Sequence, residues 1–156
     1  MARGQRRYVV DTNLFIRAFR DPEANAALAR FHAAYAPFEY LGAIVAQELR
    51  AGVQNARDRR RLEESVLAVF ARGNRVIAPS REAWDRSGDL LAEMVWRDGL
   101  ELARVSKSFG NDVLLAVSCR EQGMVLITEN QRDFTRIRRY LDFEFIPPWP
   151  DGGPSH

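Results

Sequence analysis

Polar residues able to do chemistry recur in this chain where an apolar run stops. Asp11-Thr12-Asn13 follows directly on Tyr8-Val9-Val10, and Thr128-Glu129-Asn130-Gln131-Arg132-Asp133 follows directly on Met124 to Ile127. A further acid, Asp112, leads the run Val113-Leu114-Leu115-Ala116-Val117, and Glu48 stands among Ile44, Val45 and Leu49. Carboxylates brought close together repel one another, and burial adds to the cost. Such a cluster persists only by binding protons or cations. Oxygen donors without thiolates favour hard ions such as Mg2+ or Mn2+. The chemistry to expect is metal-assisted hydrolysis, in which an ion lowers the pKa of a bound water and neutralises charge growing on a phosphate.

Each position also has a plain structural reading. Asp11 and Asp112 could each be a helix N-cap, and Glu48 a solvent-facing glutamate. Asn130 with Asp133 three residues on resembles a reciprocal cap. The joint presence of these residues in this order carries the chemical reading. Arg132, Arg136 and Arg139 recur at i, i+4 and i+7 and so share one helix face beside Asn130. They could hold phosphates without reading sequence, or form a solvated surface. The Arg57 to Arg61 cluster, broken by Asp58 and followed by Glu63-Glu64, reads as a balanced surface helix.

The elements that must position these residues are short apolar strands alternating with helices. Strands are expected at Tyr8 to Val10, Glu39 to Leu41, Arg75 to Ile77 and Met124 to Ile127, with an edge strand at Phe143 to Ile146. Helices are expected over Leu14 to Arg20 and from the Asp21-Pro22-Glu23 start to Tyr35. Others follow over Ile44 to Ala51, closed by Gly52, and over Arg57 to Ala71, with Leu62, Val66, Val69 and Phe70 inward. A helix capped by Ser80 runs to about Gly99, and a second is expected over residues 100–105. The buried helix Asp112 to Gln122 ends at Gly123, and Asn130 to Tyr140 forms the last. This alternation implies an α/β three-layer α/β/α sandwich with a mainly parallel sheet. Ligands in such sheets bind at the carboxyl ends of the strands. That rule puts Asp11 and the Thr128 to Asp133 segment on one rim. Asp112, opening the helix into the fourth strand, falls near the opposite rim unless the helix start folds back over the site.

A chain of 156 residues with 46% hydrophobic and 28% charged content suits one soluble globular domain. Residues 1–146 are read as that domain and 147–156 as a Pro/Gly-rich tail. No apolar run reaches the ~20 residues of a membrane span, and the basic start meets Asp11 too soon for a signal peptide. A cytoplasmic protein is expected. One cysteine, Cys119, excludes a disulfide framework and a Cys-rich zinc site. The net charge is +2, and Lys107 is the only lysine among 23 basic residues. That arginine bias suits phosphate, but the base composition of the genome is its plainer source. Trp84 is read as a core residue, Trp149 as docking on the domain or on a partner, and His32 as a surface or dimer-face residue. Neither His32 nor His156 has neighbours that point to acid–base catalysis.

These motifs resemble those of the PIN-domain nucleases, and among them the VapC-type toxins of toxin–antitoxin pairs. The matching residues are a hydrophobic strand with Asp11-Thr12-Asn13, Gln47-Glu48-Leu49 with Gly52, Asn111-Asp112 leading an apolar helix, and Leu126-Ile127-Thr128-x-Asn130-x-x-Asp133-Phe134. Order and spacing agree from Tyr8 to about Ile146. The resemblance implies that Asp11, Glu48 and Asp112 are the principal acids, with the fourth position at Asn130 or Asp133. It implies Mg2+ or Mn2+ held by Asp11 and Asp112, with Glu48 and Asn130 as further ligands and catalytic work shared by Asp11, Glu48, Asp112 and Asp133. Thr12, Asn13, Thr128, Arg132 and Arg136 are the expected substrate contacts. It also implies RNA as substrate, a homodimer, and an antitoxin protein that blocks the site. A PIN-like module that binds RNA or protein without cutting, and a maturation or DNA nuclease that is no toxin, are the alternatives. Phosphotransferase, P-loop and dinucleotide-binding readings lack their motifs.

Overall fold

In a computed structural model, residues 5–150 are described. The basic start at Met1 to Gly4 and the end of the tail, including His156, lie outside them. Strand β1 (Tyr8–Val10) leads into α1 (Thr12–Arg20) and α2 (Pro22–Tyr35). Strand β2 (Glu39–Gly42) leads into α3 (Ala43–Gly52), and a near-continuous helical stretch follows. That stretch comprises α4 (Ala56–Leu62), a π-turn at Glu63–Leu67, and α5 (Ala68–Arg72). Then come β3 (Val76–Ile77), α6 (Arg81–Asp98), α7 (Lys107–Gln122), β4 (Val125–Ile127), α8 (Gln131–Arg138) and β5 (Phe145–Ile146).

The five strands form one sheet in the order β3-β2-β1-β4-β5, and every pairing is parallel. From β1 the chain steps outward to β2 and β3, then returns across the sheet to place β4 on the free side of β1. The strand order therefore reverses between β1 and β4, which opens a crevice at their carboxyl ends. The register Val10↔Ile127 brings the residues after both strands side by side. All three residues of β1 and all three of β4 are buried, as a parallel sheet covered on both faces requires. That agrees with the α/β expectation.

Several local expectations need correction. Gly52 closes α3 from within the helix, without a left-handed turn. The π-turn adds a residue to the inward face of the α4–α5 stretch. Leu67 is drawn into the core, and Val69 rotates outward. Residues 100–105 hold only a single 3-10 turn at Leu102–Arg104. Trp84 is 61% exposed: Ala83, Ser87, Leu90 and Met94 face the core and turn it outward. Trp149 packs on the domain, stacked on Phe31 with ring centroids 5.0 Å apart. His32 turns inward from α2, where its Nδ1 meets the buried carboxylate of Glu39 on β2.

Candidate active site

Asp11 is the first residue after β1 and the N-cap of α1, so its capping reading holds. Its backbone N–H donates to the carbonyl of Ile127 at 2.9 Å, which locks it to the end of β4. Oδ1 accepts from the Thr12 N–H at 2.8 Å. Oδ2 accepts from the Thr128 hydroxyl at 2.7 Å. The Thr128 Oγ1 accepts in turn from the Asn130 N–H at 3.0 Å. A carboxylate held by donors at both oxygens has one orientation. Thr12 carries the network further, as its hydroxyl donates to Glu48 Oε1 on α3 at 2.9 Å. The crossing of β1 and β4 thus fixes Asp11, and Asp11's neighbour fixes Glu48.

Asp112 joins the same rim. A helix that feeds a parallel strand runs antiparallel to it, so its start lies at the strand's carboxyl end. The opposite-rim expectation reversed that direction. The helix also begins earlier than expected, at Lys107. Ser106 caps it, accepting from the Phe109 N–H at 3.0 Å. Asp112 is therefore no N-cap. It projects from the second turn as a buried carboxylate inside the helix, where a capping role is closed to it.

The electrostatics bring the acids together. Burial pushes the Asp112 carboxyl up to about 8, and the neighbouring charges of Asp11, Glu48 and Asp133 push in the same direction. Asp11 is also raised, first by burial and least by Glu48, against the lowering hydrogen bonds from Thr128 and Thr12. Asp11, Glu48, Asp112 and Asp133 together offer the hard oxygens that suit a dication. Among the described residues no three acidic, imidazole or thiol side chains are placed to hold a metal ion as they stand. Burial pushes the Cys119 thiol up to about 12, which leaves it an inert core residue.

The remaining expected contacts divide. Thr12 and Thr128 are buried, Thr128 completely. Their hydroxyls donate to Glu48 and Asp11 and so hold those two carboxylates. Asn13 is exposed on the first turn of α1. Asn130 is the N-cap of α8: its Oδ1 accepts from the Asp133 N–H at 3.2 Å, and its Nδ2 donates to Asp133 Oδ2 at 3.0 Å. Both ends of its amide thus meet Asp133 and hold that residue in place. Asp133, in turn, is the residue whose charge reaches Asp112. Arg132, Arg136 and Arg139 line one shallow depression beside Asp133. The Arg136 guanidinium lies 5.4 Å from the Phe109 ring centroid, which ties α8 to the first turn of α7.

Two features escaped the sequence reading. Arg17 on α1 pairs with Glu129 after β4, a clamp across the rim. Glu129 stood in the motif, but its partner is 112 residues away and has no local signal. Asn111, beside Asp112, has a buried amide nitrogen with no hydrogen-bond partner among the described residues.

The chain matches the family model of the PIN domain over residues 8–140. No curated protein matches it significantly in sequence. Among solved structures, it is similar to DNA-bound VapBC from Salmonella typhimurium at 20% identity, covering 91% of this chain and 98% of that one, with a TM-score of 0.68. FitAcB from Neisseria gonorrhoeae gives 22% identity, coverages of 91% and 98%, and a TM-score of 0.66. A toxin–antitoxin complex from Klebsiella pneumoniae gives 23% identity, the same coverages of 91% and 98%, and a TM-score of 0.62. Likeness at these identities is one of fold.

Proposed function

Because the chain belongs to the PIN-domain family, a family of nucleases that use divalent metals, we propose that it is a Mg2+- or Mn2+-dependent endoribonuclease and the VapC-type toxin of a toxin–antitoxin pair. The observation that carries the reading is Asp112. It is a buried acid inside a helix, held protonated to about pH 8 by its burial and by three other carboxylates. A cation would relieve all four at once.

Asp11 and Asp112 are the residues to hold that cation, with Asp133 as the fourth acid. When bound, such an ion supplies a water of lowered pKa and charge neutralisation at the phosphate. The chain's own residues do the rest. Thr128 and the Thr12 N–H hold the Asp11 carboxylate in one orientation. The Thr12 hydroxyl aims Glu48, which takes the proton from the attacking water or holds a second ion. Asn130 orients Asp133. Arg132, Arg136 and Arg139 bind backbone phosphates of single-stranded RNA, and Asn13 offers an exposed amide at the mouth. The VapBC and toxin–antitoxin neighbours support a protein antitoxin as partner; we take it to cover this rim, and the working form to be a homodimer.

The test is cleavage of total RNA by the purified protein with Mn2+, with Mg2+ and with chelator, with the ends mapped. Cleavage with either ion and none with chelator is expected. Asp11→Asn and Asp112→Asn should each abolish cutting while retaining the far-UV spectrum. An undiminished rate in either variant would refute the assignment. Expression should arrest growth, and a small neighbouring gene should relieve it; growth at the normal rate would argue for a non-toxin nuclease.

A further inference from the structure

Beside the acidic centre, and sharing Glu48 with it, lies a cavity of about 350 Å3 between α1, α3 and α4. Its apolar wall is built by Ile16, Phe19, Leu49 and Val53. Phe19 is 38% exposed, although it sits on a helix whose neighbours Leu14, Phe15 and Ala18 are buried. The Arg61 guanidinium stands over the Phe19 ring, 5.6 Å from its centroid. Arg20 lines the same cavity. Neither Arg20 nor Arg61 forms an ion pair among the described residues. A half-open aromatic face, an arginine poised over it, and unpaired positive charge beside a phosphate-cleaving centre form a set. The size suits one nucleoside, at the small end of ordinary ligand cavities of ~300–1,000 Å3.

We propose that this cavity is a nucleobase subsite: one unpaired base of the RNA strand stacks on Phe19, and Arg20 and Arg61 hold the adjoining phosphates. This rests on the ribonuclease reading above. A base has a flat π-face whatever its identity, so stacking grips a single strand with little sequence preference. Arginine adds a cation–π contact and a phosphate fork. Duplex RNA keeps its bases stacked inside and cannot deliver one here. The subsite therefore confines cutting to loops and single strands, and it sets how far from Glu48 the gripped base lies.

The test is steady-state cleavage of a fluorescein-labelled, mixed-sequence single-stranded RNA by the full chain in Mn2+. Phe19→Leu keeps the bulk and removes the π-face; Phe19→Trp keeps the π-face. Phe19→Leu should raise KM about tenfold, the loss of one stacked base, with kcat unchanged. Phe19→Trp should match the wild type. Arg61→Gln should raise KM and flatten its salt dependence. If the wild type cuts and all three variants match it, the subsite is wrong and the nuclease stands. If the wild type does not cut, the nuclease reading fails and takes the subsite with it. If Phe19→Leu leaves RNA kinetics untouched and weakens inhibition by the antitoxin, the cavity belongs to a protein partner and the proposal is overturned.

Discussion

A carboxyl raised to about 8 in the folded chain and ordinary in the unfolded one has a definite effect on stability. Between about pH 4 and pH 8 the folded protein keeps a proton on Asp112 that the unfolded chain has lost. Stability from this group is therefore full below about pH 4 and falls as pH rises through 8. In chelator, the denaturation midpoint of the wild type should drop across pH 5 to 8, and Asp112→Asn should flatten that slope. A parallel slope in the variant would show that another group titrates. The same proton must leave before Asp112 can ligate, so apparent Mn2+ affinity should climb over the same range. Thr128→Val is a second residue-scale test. It removes the donor to buried Asp11 Oδ2, and should cost roughly 1–3 kcal/mol in urea denaturation along with most of the cleavage rate. Types and order made Asp11 and Glu48 legible in the sequence. The Thr12–Glu48 bond was not, because a hydroxyl has several local acceptors and only the fold selects one 36 residues away.

At the scale of the elements, the helix that carries Asp112 depends on its cap. Ser106→Ala should destabilise α7 by about 1 kcal/mol and lower activity more than stability, since the cap sets the turn from which Asp112 projects. Gly123 ends that helix at φ +65°, a conformation that costs a residue with a Cβ about 1 kcal/mol, so Gly123→Ala should lower Tm. The strands and most helices could be read from apolar runs and caps. The start of α7 could not, because Ser106-Lys107-Ser108 looks like loop and the apolar run begins only at Val113. The π-turn left no mark either: Glu63-Glu64-Ser65 is ordinary helix sequence, and only packing reveals that Leu67, not Val69, is inward. His32 keeps a partly exposed ring, and its link to Glu39 was missed for a related reason. Glu39 is a charge inside a buried strand and required a partner, but α2 supplies it from seven residues upstream. Removing that partner with His32→Ala strands the Glu39 carboxylate, and should cost about 3 kcal/mol in urea denaturation.

At the scale of the whole molecule, the sheet order makes the pocket a product of distant segments. A cation that binds only the folded chain should raise Tm with concentration, and Asp11→Asn should abolish the rise; an equal rise in that variant would place the ion elsewhere. The family-level architecture was legible because alternating strands and helices admit few layouts. What joins the acids was less so, since it depends on α7 running back toward the rim where β1 and β4 end. That return across the sheet has a consequence for synthesis. Asp11 emerges from the ribosome early, yet the hydroxyl that holds it belongs to Thr128, 117 residues later. A nascent chain therefore carries no assembled site until the fourth strand has slotted in beside the first. On the ribonuclease proposal, a fragment stopped before residue 125 should neither cut RNA nor slow the growth of its host.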